Sequence, residues 1–334
     1  MNQKGPVLVT GIKPTGRVHL GNYLGMIRPA LELAGTHEAY VFIADSHAMT
    51  TESDPVALSR QSRELAAGLL ALGLDPGGTV LYRQSEVGTV FELGWILACS
   101  APKGLLNRAH AYKAAVEANR SAGRPADEGV NAGLFTYPVL MAADILGMGG
   151  TLVPVGADQA QHLEITRDLA VAFNRDYGRT FAVAEAVIDE AVAVIPGTDG
   201  RKMSKSYDNV IPIFGDPPEM AKLVRGIVTD SRCPEEPKDP GSCRLFALYR
   251  HLAEPEAVAS LAETYLSGGI GYGEVKQLLI EVLQQRFGPA RLRYLDLLEG
   301  SGELEAVLAD GAEKARSRAQ EIFSRVRQAR GLAA

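Results

Sequence analysis

Long apolar runs are missing from this 334-residue chain, and none reaches the roughly 18 residues that a membrane-spanning helix requires. The N-terminus also lacks the charged-then-apolar pattern of a secretory leader. Cysteine is scarce. Cys99, Cys233 and Cys243 form an odd, sparse set that points away from a disulfide framework and towards a reducing cytoplasm. Cys233 and Cys243 flank a Pro-rich acidic loop, which leaves a disulfide or a partial metal site open. Two thiols without a nearby His pair nevertheless fall short of tetrahedral zinc ligation. Basic charge is not in excess either: 34 Lys and Arg against 40 Asp and Glu give a net charge of −6. That balance argues against non-specific nucleic-acid binding over the whole surface, although a local patch remains open. Lys314, Arg316, Arg318, Arg325, Arg327 and Arg330 cluster near the end, and a charged solvent face accounts for them equally well. No Gly-x-Gly-x-x-Gly follows an apolar strand, so a dinucleotide dehydrogenase is disfavoured. Gly11 to Gly16 is not a P-loop, because Arg17 and Val18 replace its Lys and Ser/Thr. What remains is an ordinary globular composition, 46% apolar, in a chain long enough for two domains.

The first part alternates strand and helix patterns. Val7–Val9, Tyr40–Ala44, Val80–Tyr82 and Leu152–Val155 read as short buried strands. Helical periodicity covers Leu20–Leu33, Pro55–Leu72 after a Ser53/Asp54 start, Phe91–Cys99, a segment through Tyr137 and Asp144, and Asp158–Phe173. Such alternation predicts an α/β fold, with a Rossmann-like parallel sheet, helices on both faces, and ligands at the strands' carboxyl ends. Residues 115–131 are polar and contain Gly123 and Pro125. They read as a mobile excursion, about 113–131, of the kind that serves as a lid. Strand signals fade after Ser206, and helical periodicity runs from Pro218 onward. Two regions are therefore expected, 1–206 and an α-helical 207–334, with the last helix able to pack back on the first.

Two short segments carry the chemistry. The first is Thr15-Gly16-Arg17-Val18-His19-Leu20-Gly21-Asn22, a turn opening a helix after the first strand. A strand–turn–helix order aims helix-terminal N–H groups and the positive end of the helix dipole at whatever sits over the turn. Gly21 leaves room for a close ligand, and His19 and Asn22, one helical turn apart, can converge on one phosphate. The second segment, Lys202-Met203-Ser204-Lys205-Ser206, supplies two flexible cations. Either segment alone has a bland reading, as a common turn or a solvated loop. Their co-occurrence in this order is far more specific.

In that order they resemble the HIGH and KMSKS signatures of class I aminoacyl-tRNA synthetases, the first reading His19-Leu20-Gly21-Asn22. Tyr137-Pro138-Val139-Leu140-Met141-Ala142-Ala143-Asp144-Ile145 narrows the resemblance to the bacterial tryptophanyl-tRNA synthetases. The related tyrosyl enzymes typically carry Gln where Met141 stands. An acid among apolar residues is costly to bury unless paired, and a carboxylate only accepts hydrogen bonds. The resemblance implies that Asp144 accepts the indole N–H while Met141, Val9, Val155 and His47 line or overlie the ring pocket. Such a site can reject an analogue lacking the N–H by roughly 10⁴-fold, about 5.5 kcal/mol. A helix residue with a local partner is the alternative for Asp144.

Further roles follow from the resemblance. His19 and Asn22 stabilise the α-phosphate of ATP; Lys202 and Lys205 follow the β- and γ-phosphates; Gly21, Gly156, Met203 and Ser204 contact the nucleotide. Lys113, at the foot of the polar excursion, reaches the phosphates on closure, although a surface lysine explains it as well. Asp158 takes the ribose hydroxyls, an N-cap role being equally good, and Gln159 and Tyr137 orient the amino acid's polar end. Gln161-His162-Leu163-Glu164 extends the match as packing. Mg²⁺ is held by ATP phosphates and water, with no protein metal site. The implied partners are L-tryptophan and tRNA(Trp), with the tRNA lying across a homodimer and read by the helical region.

Lys13 departs from the pattern. It stands where bacterial tryptophanyl enzymes usually carry Gln, at the ATP and tryptophan site, and it adds a cation while removing an acceptor. That change suggests an inhibitor-resistant copy, less sensitive to tryptophan mimics such as indolmycin, or a neutral swap. The competing functions are tyrosine charging, a non-tRNA nucleotidyltransferase of the same superfamily, and a non-catalytic binding paralogue. Met141 opposes the first, the helical last third the second, and the intact His19, Asn22, Lys202 and Lys205 the third.

Overall fold

Val7–Ile12 is buried at every position except Gly11, and it forms the central strand, β1, of a five-stranded parallel sheet. In the computed structural model, which describes residues 5–156, 160–187, 195–300 and 302–332, the other strands are β2 (Glu38–Ile43), β3 (Thr79–Arg83), β4 (Leu152–Pro154) and β5 (Glu185–Val187). Their order is β3-β2-β1-β4-β5, and every pairing is parallel. The chain winds outward from β1 to β3, then returns to the other side of β1. That reversal opens a crevice at the carboxyl ends of β1 and β4, where a doubly wound sheet binds its ligand.

Four strands match expectation to within two or three residues at each end. β5 has no counterpart in the sequence reading, because Glu185 and Ala186 are exposed at the sheet edge and carry no apolar signal. The first helical run is a single rod, Leu20–Ala34, widened by a looser turn over Tyr23–Ile27. Arg28 N–H bonds back five residues to the Tyr23 carbonyl, just before Pro29, which has no N–H to donate.

The polar segment has more regular structure than its composition suggests. His110–Ser121 is a helix, and the turn behind it is pinned rather than structureless. Buried Asn119 donates from Nδ2 to the Ala126 and Glu128 carbonyls at 3.0 and 2.8 Å. Gly123 and Pro125 signalled a break in the helix but not this side-chain staple.

Side chains alternate between the faces of β1. Leu8 packs with Leu24, Ile27, Leu65 and Leu69, and that core continues without a break into Leu245, Leu279 and Leu283 of the helical region. Tyr23 meets Phe287 edge-on at 5.0 Å across the junction. Val7 and Val9 pack on the opposite face with Leu93, Val139, Ile145 and Phe173. The last helix, Glu303–Ala329, lies against β3 and the helices Gly88–Ala98 and Ala132–Gly147, so the final residues of the chain complete this second core. Several of its basic side chains are engaged within the chain: Lys314 with Asp310 at 2.7 Å, Arg318 with the Met148 carbonyl at 3.0 Å, and Arg330 over the Tyr177 ring.

Cys233 and Cys243 are free thiols, and the Cys243 Sγ lies 3.6 Å from the Tyr265 hydroxyl. The loop between them is held by Lys238, whose buried ammonium donates to the carbonyls of Cys233, Pro234 and Glu236. Among the described residues no helix is long and apolar enough to cross a membrane.

Candidate active site

A cavity of about 700 Å³ sits at the carboxyl ends of β1 and β4. Its apolar wall includes Val9, Met141, Val153 and Val155. Lys13, Asn22, His47, Tyr137 and Lys205 reach it with polar groups, and Gly156 closes one side. Gly11 at the end of β1 lets the strands approach closely, because a Cβ there would overlap the Phe42 ring. Asp158 and Gln159 lie outside the described residues.

The turn after β1 is stitched to the lysine-bearing segment. Gly16 adopts φ +87°, a conformation that disfavours other residues, and beside it Lys205 Nζ donates to the Thr15 carbonyl at 2.5 Å and to its hydroxyl at 3.3 Å. Leu20 N–H donates to the Ile211 carbonyl and Ile213 N–H to that of Val18, so residues 202–213 run beside the turn. Gly21 N–H meets the Met203 sulfur at 3.1 Å. The space at Gly21 is therefore not left for a ligand: a Cβ would lie 3.2 Å from both the His19 ring and the Met203 side chain. Burial pushes the Lys205 ammonium pKa below its ordinary value.

His19 and Asn22 are brought together at the turn. They cap each other, Asn22 N–H donating to His19 Nδ1 at 3.3 Å and His19 N–H to Asn22 Oδ1 at 3.4 Å. His19 is 5% exposed and lies behind the cavity wall, which Asn22 alone reaches. Burial, then the positive charge of Lys205, pushes the imidazole pKa down to about 4. Nδ1 is thus an acceptor, and Nε2 carries the one ring proton at neutral pH. Lys113 is exposed on the His110–Ser121 helix, and Lys202 is exposed as well. Neither lines the cavity, which takes Ala111 instead.

Asn209 was not anticipated. It is 1% exposed, donates to Asp199 Oδ1 at 2.7 Å and to the Lys202 carbonyl at 3.1 Å, and accepts from Ser204 N–H at 2.7 Å. Its neighbour Asp208 takes φ +50°, so the chain reverses sharply here. Asn209 thereby sets the path of residues 202–205. Asn209→Leu is expected to lower turnover about tenfold or more, because displacement of about 1 Å is enough for such losses. An unchanged KM for the amino acid would accompany that loss; equal changes in both constants would contradict a positioning role.

At the other end of the cavity, buried Asp144 is not a lone carboxylate. His47 Nε2 donates to Oδ2 at 2.8 Å, and Gln84 Nε2 donates to both oxygens at 2.8 Å. Gln84, wholly buried, also accepts from His47 N–H at 3.2 Å. Burial raises the Asp144 pKa, and the His47 and Gln84 bonds oppose the rise. Asp45 ties the ends of β2 and β3 beneath this trio by accepting from the Ser46 and Ser85 N–H groups and the Ser85 hydroxyl. Gln84 gave no sequence signal beyond its position one residue past a strand.

The Tyr137 hydroxyl pairs with His162 Nε2, and burial pushes its pKa up to about 12. His162 thus anchors a cavity residue rather than only packing. Lys13 Nζ donates to Thr51 Oγ1 at 2.9 Å and to Thr50 Oγ1 at 3.3 Å, and burial lowers its pKa. Among the described residues no three His, Cys, Asp or Glu side chains could jointly hold a metal ion.

The arrangement joins an apolar chamber holding a buried acceptor to a helix start flanked by lysine and imidazole. It suits a flat aromatic ligand beside a phosphate ester. Residues 1–288 match the family described as tRNA synthetases class I (W and Y). The chain is 49% identical over 329 residues to the tryptophan–tRNA ligase of Xanthomonas axonopodis pv. citri, covering 97% of this chain and 76% of that protein. It is 48% identical over 331 residues to that of Pseudomonas aeruginosa, covering 97% and 73%. A crystal structure of tryptophanyl-tRNA synthetase from Campylobacter jejuni, complexed with ADP and tryptophan, superposes with a TM-score of 0.88 at 42% identity, covering 98% of this chain and all of that one.

Proposed function

The chain belongs to the class I tRNA synthetases of the tryptophan and tyrosine family, and from that membership and its pocket we infer that it is a tryptophan–tRNA ligase. Such an enzyme uses ATP as a substrate. The tryptophan carboxylate attacks the α-phosphorus and pyrophosphate leaves; a hydroxyl of tRNA(Trp) then takes the tryptophanyl group from the adenylate, releasing AMP. The observation that carries the choice of amino acid is the apolar chamber with buried Asp144 behind it and Met141 on its wall.

The roles of individual residues are part of the proposal. Charge builds on phosphoryl oxygens as the carboxylate attacks, and preorganised donors lower that barrier. Asn22 and the Nε2–H of His19 face the α-phosphate, and Lys205 serves the pyrophosphate. Lys202 and Lys113, exposed in this structure, join only if their segments close over ATP. Gly21, Met203 and Ser204 shape the turn that receives the nucleotide, with Gly156 and Asp158 at its ribose. Tyr137 and Gln159 orient the α-ammonium and carboxylate of tryptophan; Val9, Met141, Val155 and His47 enclose its ring. Mg²⁺ would arrive with the nucleotide, held by phosphate and water oxygens. We place the enzyme in the cytoplasm as a homodimer. Trp95, 73% exposed on the Gly88–Ala98 helix beside the second core, supports a partner surface. Residues 1–206, with the last helix packed on them, then form the catalytic region, and the other helices of 207–334 meet the anticodon.

ATP–pyrophosphate exchange with each of the twenty amino acids tests the assignment. Exchange is expected with tryptophan alone, and exchange driven by tyrosine would overturn it. Lys13 adds a cation at the polar end of the chamber, where its family usually has Gln. Lys13→Gln is expected to increase inhibition by a tryptophan mimic such as indolmycin about tenfold. Superimposable inhibition curves would end that proposal.

A further inference from the structure

Asp144 is 1% exposed and does not reach the cavity wall, whereas His47 does. The imidazole thus stands between the chamber and the carboxylate, its Nε2 2.8 Å from Oδ2. The other donor, Gln84, is fully buried and bound at both ends of its amide: Nε2 to both Asp144 oxygens, and Oε1 to His47 N–H. Gln84 has no space to leave. His47 has the cavity beside it, and its side chain is 14% exposed against 2% for that of Asp144.

Resting on the reading of Asp144 as the indole acceptor, we propose that His47 is a stand-in for the ring N–H, bonded to Asp144 as seen here and displaced from it when tryptophan enters. Gln84 is the positioning residue that holds the carboxylate, and the backbone of the His47 turn, during the exchange. The physical reason is the cost of leaving a buried acceptor unpaired. With His47 in place that cost is never incurred, either before binding or with a ligand lacking the N–H. Selectivity then depends on the difference between two N–H···O bonds, not on the loss of one. The consequence is specific: the native enzyme discriminates only weakly against a tryptophan isostere with sulfur in place of the ring N–H. Removing the His47 donor should sharpen that discrimination.

The test compares kcat/KM for tryptophan and for the sulfur isostere in pyrophosphate exchange, using the full-length chain. A native ratio well under the 10⁴-fold of an unpaired acceptor is expected. His47→Met should raise the ratio about tenfold or more by losing activity on the isostere, and His47→Gln, which keeps a donor, should restore the native ratio. Gln84→Met should raise KM for both compounds by a similar factor with little change in their ratio, as befits a positioning residue. A His47→Met ratio that stays the same or falls would overturn the exchange, a fall pointing to His47 as the direct acceptor of the indole proton. If Asp144→Asn also leaves the ratio untouched, the underlying reading of the pocket fails instead. A second measurement needs no variant. The His47 ring N–H resonance of the native protein should lose its hydrogen-bonded shift on adding tryptophan and keep it with the isostere. Persistence with tryptophan would refute the proposal.

Discussion

Replacing His19 by alanine is expected to slow tryptophan-dependent pyrophosphate exchange about 10²–10³-fold, the loss that follows removal of one preorganised donor to a developing anion. KM for tryptophan should change little, because His19 lies at the turn after β1, away from the ring pocket. The size of the effect depends on the protonation state. Burial and Lys205 bring the His19 pKa down to about 4, so the ring is neutral at pH 7, with Nδ1 accepting from Asn22 and the proton on Nε2. The activity contributed by His19 should therefore stay flat from pH 6 to 8. The sign for stability follows from the same shift. An unfolded histidine binds its proton near pH 6.5, so between about pH 6.5 and 4 the unfolded chain holds more protons than the folded one. Stability from this group is complete above about pH 6.5 and falls as the pH drops through that window. His19→Asn should flatten that part of the curve in thermal melts from pH 4 to 7. A wild-type rate that drops sharply between pH 8 and 6, and does not in the variant, would show instead that the ring titrates near neutrality.

Gly311→Val is the second large effect. In the Glu303–Ala329 helix Gly311 lies directly on β3, and any Cβ there would overlap the Leu81 carbonyl oxygen. The obstacle is strand backbone, which cannot rotate away as a side chain could. Ala312, Ala315 and Ala319 continue the narrow face, so the helix can sit against its neighbours only while small residues line the contact. Valine should push the helix off the sheet, uncovering Leu93, Val139, Ile322 and Phe323 of the second core. We expect a loss above about 4 kcal/mol, in the range reserved for severe overpacking, read as a midpoint shift in urea unfolding. The pocket should suffer as well. Arg83, adjacent to Gln84, is held from this helix by Glu305 at 2.8 and 3.1 Å. A valine variant with native stability would show that the helix can dock another way.

Tyr23 meets Phe287 edge-on across the two regions, and Phe214 stacks on Tyr294 within the helical one. Periodicity placed these helices along the chain, but not on the sheet's first face. Their contact partners lie far away along the chain, and no local pattern encodes such a pairing.

Local chemistry was legible wherever it repeats at short range. Apolar runs of strand length, an Asp54 cap before Pro55, and the His19–Asn22 and Lys202–Ser206 segments are all written in consecutive residues, so the parallel α/β sheet and the family could be read directly. What only folding decides is who meets whom. Gln84 and His47 saturate Asp144 from 60 and 97 positions distant. Asn209 shapes the lysine segment, and Gly311 lets the last helix rest on β3. Hydrogen bonds and steric contacts act over a few ångströms of space whatever the separation along the chain. A buried carboxylate that looks solitary in sequence can therefore be fully partnered in the folded molecule.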